Sequence, residues 1–170
     1  MVEMTAAPLS EDVLLFNSPL ETGLRTLVVL DALHPRTCSM SELTWFDHLV
    51  VHTADIEGPD SLHPDLPSRG GELLVRRHLV DQGIQLLLHA DLVTVIEGDD
   101  GVRFAAGDES PSFVDLLDAP YARTLKLRAQ WLAGHFKDLA EDVIRSIVHD
   151  RLGRWTLEFQ GAETLHEPSA

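Results

Sequence analysis

Residues Gly70 to Ala106 read GGELLVRRHLVDQGIQLLLHADLVTVIEGDDGVRFAA, and the period of the apolar residues changes within them. From Glu72 to Ala90, Leu73, Leu74, Leu79, Val80, Ile84, Leu87 and Leu88 recur at mostly helical spacings, whereas Leu92, Val93, Val95 and Ile96 form a shorter β-branched run. The spacing predicts a helix that gives way to a strand near Asp91. Gly98-Asp99-Asp100-Gly101 then supplies turn residues tolerant of positive φ, and Val102 and Phe104 alternate with Arg103 as in a return strand. A long helix leading straight into a hairpin fits a winged helix-turn-helix. It fits equally any small α+β domain made of a helix and a hairpin.

Upstream, Asn17-Ser18-Pro19-Leu20-Glu21 is a helix-start signal, with Ser18 as N-cap, Pro19 at the first helical position and Glu21 to complete a capping box. Leu20, Leu24, Leu27 and Val28 share one face, and the helix is expected to run from Pro19 to Leu33, where His34-Pro35 stops it. The preceding Leu14-Leu15-Phe16 fits either a short strand on the hairpin or a staple against this helix. Ser39 or Ser41 caps a second helix whose Leu43, Phe46, Leu49 and Val50 bury a single stripe and which ends near His52. Thr53 to Gly71 is long for a connection inside a compact domain; Ile56, Leu62 and Leu66 are expected to press onto the core.

Downstream, Pro111 opens a short helix carrying Phe113, Leu116 and Leu117. Tyr121, Leu125, Ala129, Leu132 and Phe136 mark a clear amphipathic helix. A last helix carries Val143, Ile147, Val148, Leu152, Trp155 and Phe159, with Gly153 as a point of bending. The expected class is mainly α with a small β-hairpin: a winged helix-turn-helix-like domain over 13–107, a helical extension over 108–160, and flexible tails at 1–12 and 161–170.

With 28 acids against 13 bases, the net charge of -15 repels phosphate backbones over most of the surface. The hairpin and its exit carry Glu97, Asp99, Asp100, Asp108 and Glu109 against Arg103 alone, the wrong sign for a DNA reader, so no direct nucleic-acid binding is expected. No stretch approaches a membrane span and the N-terminus lacks the pattern of a signal peptide, so the sequence reads as cytoplasmic. The single cysteine, Cys38, has no partner for a disulfide or at zinc-ligand spacing.

His48 and His52 lie four apart on the second helix, with Asp55 and His63 following, but Leu49 stands where a zinc-protease helix needs glutamate. Structural roles are therefore assigned to these histidines, with no metal and no cofactor. No nucleophile elbow, Cys-His signature, phosphate loop or dinucleotide fingerprint is present, so no catalysis is expected. Tyr121 to Lys137 holds Arg123, Lys126, Arg128 and Lys137 with no acid, a local reversal of charge that suits a docking face for an acidic partner. Trp131 adds an aromatic anchor to that face. His52, His63 and Arg69, in or beside the long connection, form a second docking candidate.

Phe16-Asn17-Ser18-Pro19-Leu20-Glu21, His52-Thr53-Ala54-Asp55, Ser61-Leu62-His63-Pro64, Arg69-Gly70-Gly71-Glu72-Leu73-Leu74 and Pro120-Tyr121-Ala122-Arg123 together resemble the middle component of bacterial ABC-three component systems, in its type-two form. The resemblance runs from Phe16 to Phe136. It implies a winged-helix subunit encoded between an effector and an SMC-like ABC ATPase, in systems directed against phage or plasmids such as the Lamassu type. The chain is also similar, more distantly, to acidic winged-helix accessory subunits of bacterial condensin-like complexes. The family has no catalytic motif to transfer. The expectation is a non-catalytic adaptor that joins ATPase to effector in a hetero-oligomeric complex, with a DNA-binding winged-helix regulator as the alternative.

Overall fold

The computed structural model describes residues 18–64 and 72–152. Among them are six α-helices and one antiparallel hairpin: α1 (Pro19–Leu33), α2 (Met40–Val51), a 3-10 turn (Thr53–Ile56), α3 (Glu72–His89), β1 (Val93–Gly98), β2 (Gly101–Ala106), α4 (Ser110–Leu116), α5 (Pro120–Phe136) and α6 (Glu141–Leu152). The chain is mainly helical with a two-stranded hairpin, the class read from the sequence. Leu14-Leu15-Phe16, Leu66, Arg69, Trp155 and Phe159 lie outside the described residues.

Ser18 Oγ accepts the Glu21 N–H at the start of α1. At α2 both halves of a capping box are made, Glu42 N–H to Ser39 Oγ and Ser39 N–H to Glu42 Oε2. The end of α3 is a Schellman motif: the Leu92 N–H bonds the Leu87 carbonyl, the Asp91 N–H bonds that of Leu88, and Asp91 takes a φ of 56°. That left-handed residue turns helix directly into strand. The hairpin pairs Gly98 with Gly101, where Gly101 alone takes positive φ, and Val95 with Phe104.

Helix α2 is the axis of the molecule. The sequence predicts one buried stripe, but every residue from Glu42 to Val51 is buried, because α1, α3, α5 and α6 all pack around it. Backbones of α1 and α3 meet where Gly23 faces Gly83, and a Cβ on Gly83 would sit 2.7 Å from Gly23 Cα. Leu125, Ala129, Leu132 and Phe136 of α5 enter the same core as Leu27, Leu30, Phe46 and Leu49, and the Phe46 and Phe136 rings meet at 5.7 Å.

Two short helices differ in phase from the reading of the sequence. In α4 Val114 is buried and Phe113 and Leu117 pack beside it on the core, whereas Leu116 is 79 % exposed. In α6 Ile144 and Val148 are buried and Val143 faces solvent, the face being set by contact with α2 and the 3-10 turn. Among the described residues no helix is long and apolar enough to cross a membrane.

Candidate functional site

The polar residues of α2 organise two buried clusters. Asp47, in the middle of the helix, accepts Arg25 Nε at 2.9 Å on Oδ1 and Arg76 Nη1 at 2.6 Å on Oδ2, so one carboxylate ties α1 and α3 to α2. Arg76 also donates to the Asp47 carbonyl and Arg25 to Thr22 Oγ1. Burial by itself would raise the Asp47 carboxyl, but the two guanidinium groups overrule it and hold it below the usual carboxylate range. Burial would likewise lower Arg25, and Asp47 and Tyr121 raise it instead. The cluster is charged at neutral pH. Arg76, counted from the sequence only as part of the charge balance along α3, turns inward to Asp47.

From Arg25 the network continues outward. Tyr121 shares a hydrogen bond with Arg25, and its hydroxyl lies 2.7 Å from His63 Nε2. Desolvation first, and then Arg25, His52 and Arg76, push His63 down to about 4, so at neutral pH its ring is neutral. A neutral Nε2 without a proton accepts from the tyrosine, whose own oxygen is turned to the arginine. His52 meets His63 edge-on at 6.2 Å and stacks on His48 at 4.5 Å, and His48 Nε2 lies 3.0 Å from Asp55 Oδ2. Among the described residues no three His, Cys, Asp or Glu side chains are placed to hold a metal ion.

The second cluster surrounds Glu42 at the start of α2. Its carboxylate receives Arg36 Nη2 at 2.6 Å and Arg103 Nη2 at 2.7 Å. Arg36 also donates to the Leu139 carbonyl and Arg103 to the Thr37 carbonyl and to Glu141. The strand alternation sends Arg103 to solvent; the structure instead turns it back, so that it fastens the hairpin to α2 and α6. Beside it Cys38 is buried, and burial pushes its thiol up to about 12.

The residues singled out for docking are placed as follows. Arg123 is exposed and donates to the Asp118 carbonyl and carboxylate. Lys126, half-buried, acts on Asp31 across to α1, and Arg128 donates to the Asp60 carbonyl in the connection after α2. The segment is acid-free along the chain but not in space, because a helix turns about 140° between Arg123 and Arg128 and carries each to a different acidic neighbour. Trp131 is half-buried against Gly58, and its ring lies 4.2 Å from that of His135. His52 is buried and His63 half-buried in the network above, and Arg69 lies outside the described residues.

Four of the quoted motifs join one network: Glu21 lies beside Arg25, Tyr121 bonds Arg25 and His63, and Asp55 joins through His48 and His52. A cavity of about 350 Å³ opens above it between α1 and α5, lined by Leu24, Arg25, Leu117, Tyr121 and Leu125, with Glu21 at its rim. Sequence reasoning missed Arg25, Asp47, Glu42 and Arg36 as a set. The signal that exposes them is a lone charge inside an apolar run, as Asp47 is in Leu43-Thr44-Trp45-Phe46-Asp47-His48-Leu49-Val50. Such a charge cannot be buried without a partner of opposite sign.

A family model described as ABC-three component (ABC-3C) system Middle Component 2 matches residues 15–158. No curated protein and no solved structure shows significant similarity to the chain.

Proposed function

Because the chain belongs to the Middle Component 2 family of ABC-three component systems, we propose that it is the non-catalytic subunit that bridges an SMC-like ABC ATPase to an effector, in a bacterial system acting against phage or plasmids. The observation that carries this reading is the extent of the match, which runs from before α1 to beyond α6 and so takes in every described element. The buried clusters support it by what they do. Their histidines, arginines and carboxylates are spent on one another across α1, α2, α3, α5 and the hairpin, which makes a rigid body suited to holding two partners at a set distance.

A bridge needs two surfaces. The outer face of α5, with Arg123 and the exposed Leu127, is one candidate, and its cations suit an acidic partner. Lys126, Arg128 and Trp131 flank that face and set its edges. The test is co-expression with the ATPase and the effector encoded beside it. All three are expected to elute together, and omission of this chain is expected to separate the other two. An ATPase and effector that still elute as one in its absence would refute the bridge. Saturable binding of duplex DNA at submicromolar protein and moderate salt would favour a DNA-binding regulator instead.

A further inference from the structure

Among the described residues, one edge of the hairpin is covered and the other is open. On β2 the Phe104 N–H and carbonyl both bond Cys38 at 2.8 Å, so Phe104 turns its backbone away from β1. Antiparallel pairs alternate between those that exchange bonds and those that do not. Phe104 and its partner Val95 are therefore a non-bonded pair, and by the same alternation Val93 and Glu97 also turn their N–H and carbonyl groups to the outer edge of β1. Among the described residues no strand or backbone group meets that edge.

The side chains along it are apolar and uncovered. Val95 is 39 % exposed and, on the opposite face of the sheet, Ile96 is 42 % exposed, with Val102 of β2 beside Val95 at 50 %. The rim is acidic: Glu97, Asp99 and Asp100 are exposed, and the hairpin's one cation, Arg103, is held by Glu42 and Glu141. An open strand edge with apolar side chains on both faces is a template for strand addition.

We propose that the outer edge of β1 takes up an extended segment of a partner protein in which two adjacent apolar residues stand beside basic ones. Backbone groups of Val95 and Glu97 bond the incoming strand, Val95 and Ile96 meet its apolar side chains, and Glu97, Asp99 and Asp100 meet its cations. Charge decides between occupants. A second copy would bring an equally acidic rim, on a chain of net charge -15, against this one. The chain's own Val13-Leu14-Leu15-Phe16 is preceded by Glu11 and Asp12, which oppose the same rim. The inference rests on the bridging reading only in that it supplies the second of the two surfaces.

The test combines the intact complex with a defined probe. Val95→Pro removes one outward N–H and no ladder bond, because proline is tolerated where the edge faces outward. The triple variant Glu97→Lys, Asp99→Lys, Asp100→Lys reverses the rim without touching the backbone. The full chain is titrated with a synthetic peptide of repeated Lys-Val-Val while amide exchange is followed by NMR, with a Glu-Val-Val peptide as control. Exchange at Val95 and Glu97 is expected to slow with the basic peptide alone, and Val95→Pro is expected to weaken binding by about tenfold, the worth of a lost backbone bond whose partner is left unmade. Both variants are expected to lose co-elution with one partner while keeping their melting temperature.

Equal protection by the acidic peptide, or variants that bind and assemble like the parent, would overturn the proposal. So would Val95 and Glu97 amides that are already protected in the chain alone and exchange freely once residues 1–17 are removed, or a dimer that Val95→Pro dissociates. A parent complex that assembles and ignores both variants refutes the edge and leaves the bridge standing. A parent chain that fails to co-elute with either partner refutes the bridge, and the peptide titration then decides the edge by itself.

Discussion

Replacing Asp47 by asparagine tests whether the charged cluster in the core behaves as one unit. The side chain keeps its volume, so no cavity forms and the whole effect is electrostatic. Arg25 and Arg76 are only 3 % and 7 % exposed and Asp47 is 1 % exposed, so the substitution leaves two guanidinium groups buried with no anion between them. Removing one partner of a buried pair costs about 3–5 kcal/mol, and because Asp47 pairs with two cations the loss for Asp47→Asn falls at roughly the upper end of that range. For a chain of this size 1 kcal/mol moves the melting temperature by about 2–4 °C, so a fall of roughly 8–20 °C is expected. Urea unfolding should show a lower midpoint with an unchanged slope, the mark of lost stability rather than altered compactness. The companion variant Arg25→Met, Asp47→Leu, Arg76→Met removes all three charges and should recover most of the loss, because a buried ion triad is often replaceable by apolar residues. A loss below about 1 kcal/mol for Asp47→Asn, the range of surface ion pairs, would refute the reasoning.

Gly83→Ala drives a Cβ to within 2.7 Å of the Gly23 backbone and should cost about 1–3 kcal/mol as α1 and α3 are pushed apart, whereas Gly134→Ala on α5 meets open space and should gain up to about 1 kcal/mol; thermal melts of the two variants decide. His63, held near 4 in the folded state against about 6.5 unfolded, is neutral where the unfolded chain begins to bind a proton, so its contribution is full above 6.5 and is lost as pH falls toward 4. His63→Gln should flatten that part of a plot of melting temperature against pH; an unchanged slope would show that the ring is solvated. Cys38, buried and pushed up to about 12, should resist a thiol reagent in native buffer and react on unfolding in urea, and native-state labelling at the rate of a free thiol would place it at the surface.

Local chemistry made the elements legible. Ser18-Pro19 starts α1, and Ser39, one of the two caps the sequence offered, starts α2, because the caps satisfy orphan N–H groups within three residues, and Asp91 and Gly101 mark turns where each takes a positive φ. The long periodic segments α3 and α5 were readable for the same reason: the period of an amphipathic helix is written in the chain itself. The short helices α4 and α6 were legible as elements, but not all of their buried face was, since that depends on what they meet.

The candidate site divides along the same line. That His52, Asp55, His63, Glu21 and Tyr121 belong to recurring motifs, and that the chain is an acidic member of a middle-component family, could be read from residue types and their order. What those residues touch could not. Arg25, Asp47 and Arg76 lie 22 and 29 positions apart in the sequence, and Arg103 reaches Glu42 across 61, so their pairing is invisible to any local window. Burial of α2 on all sides decided it. A carboxylate on a half-exposed helix would be solvated, but in the centre of the core it must gather cations from whichever elements surround it, and only the tertiary packing determines which those are.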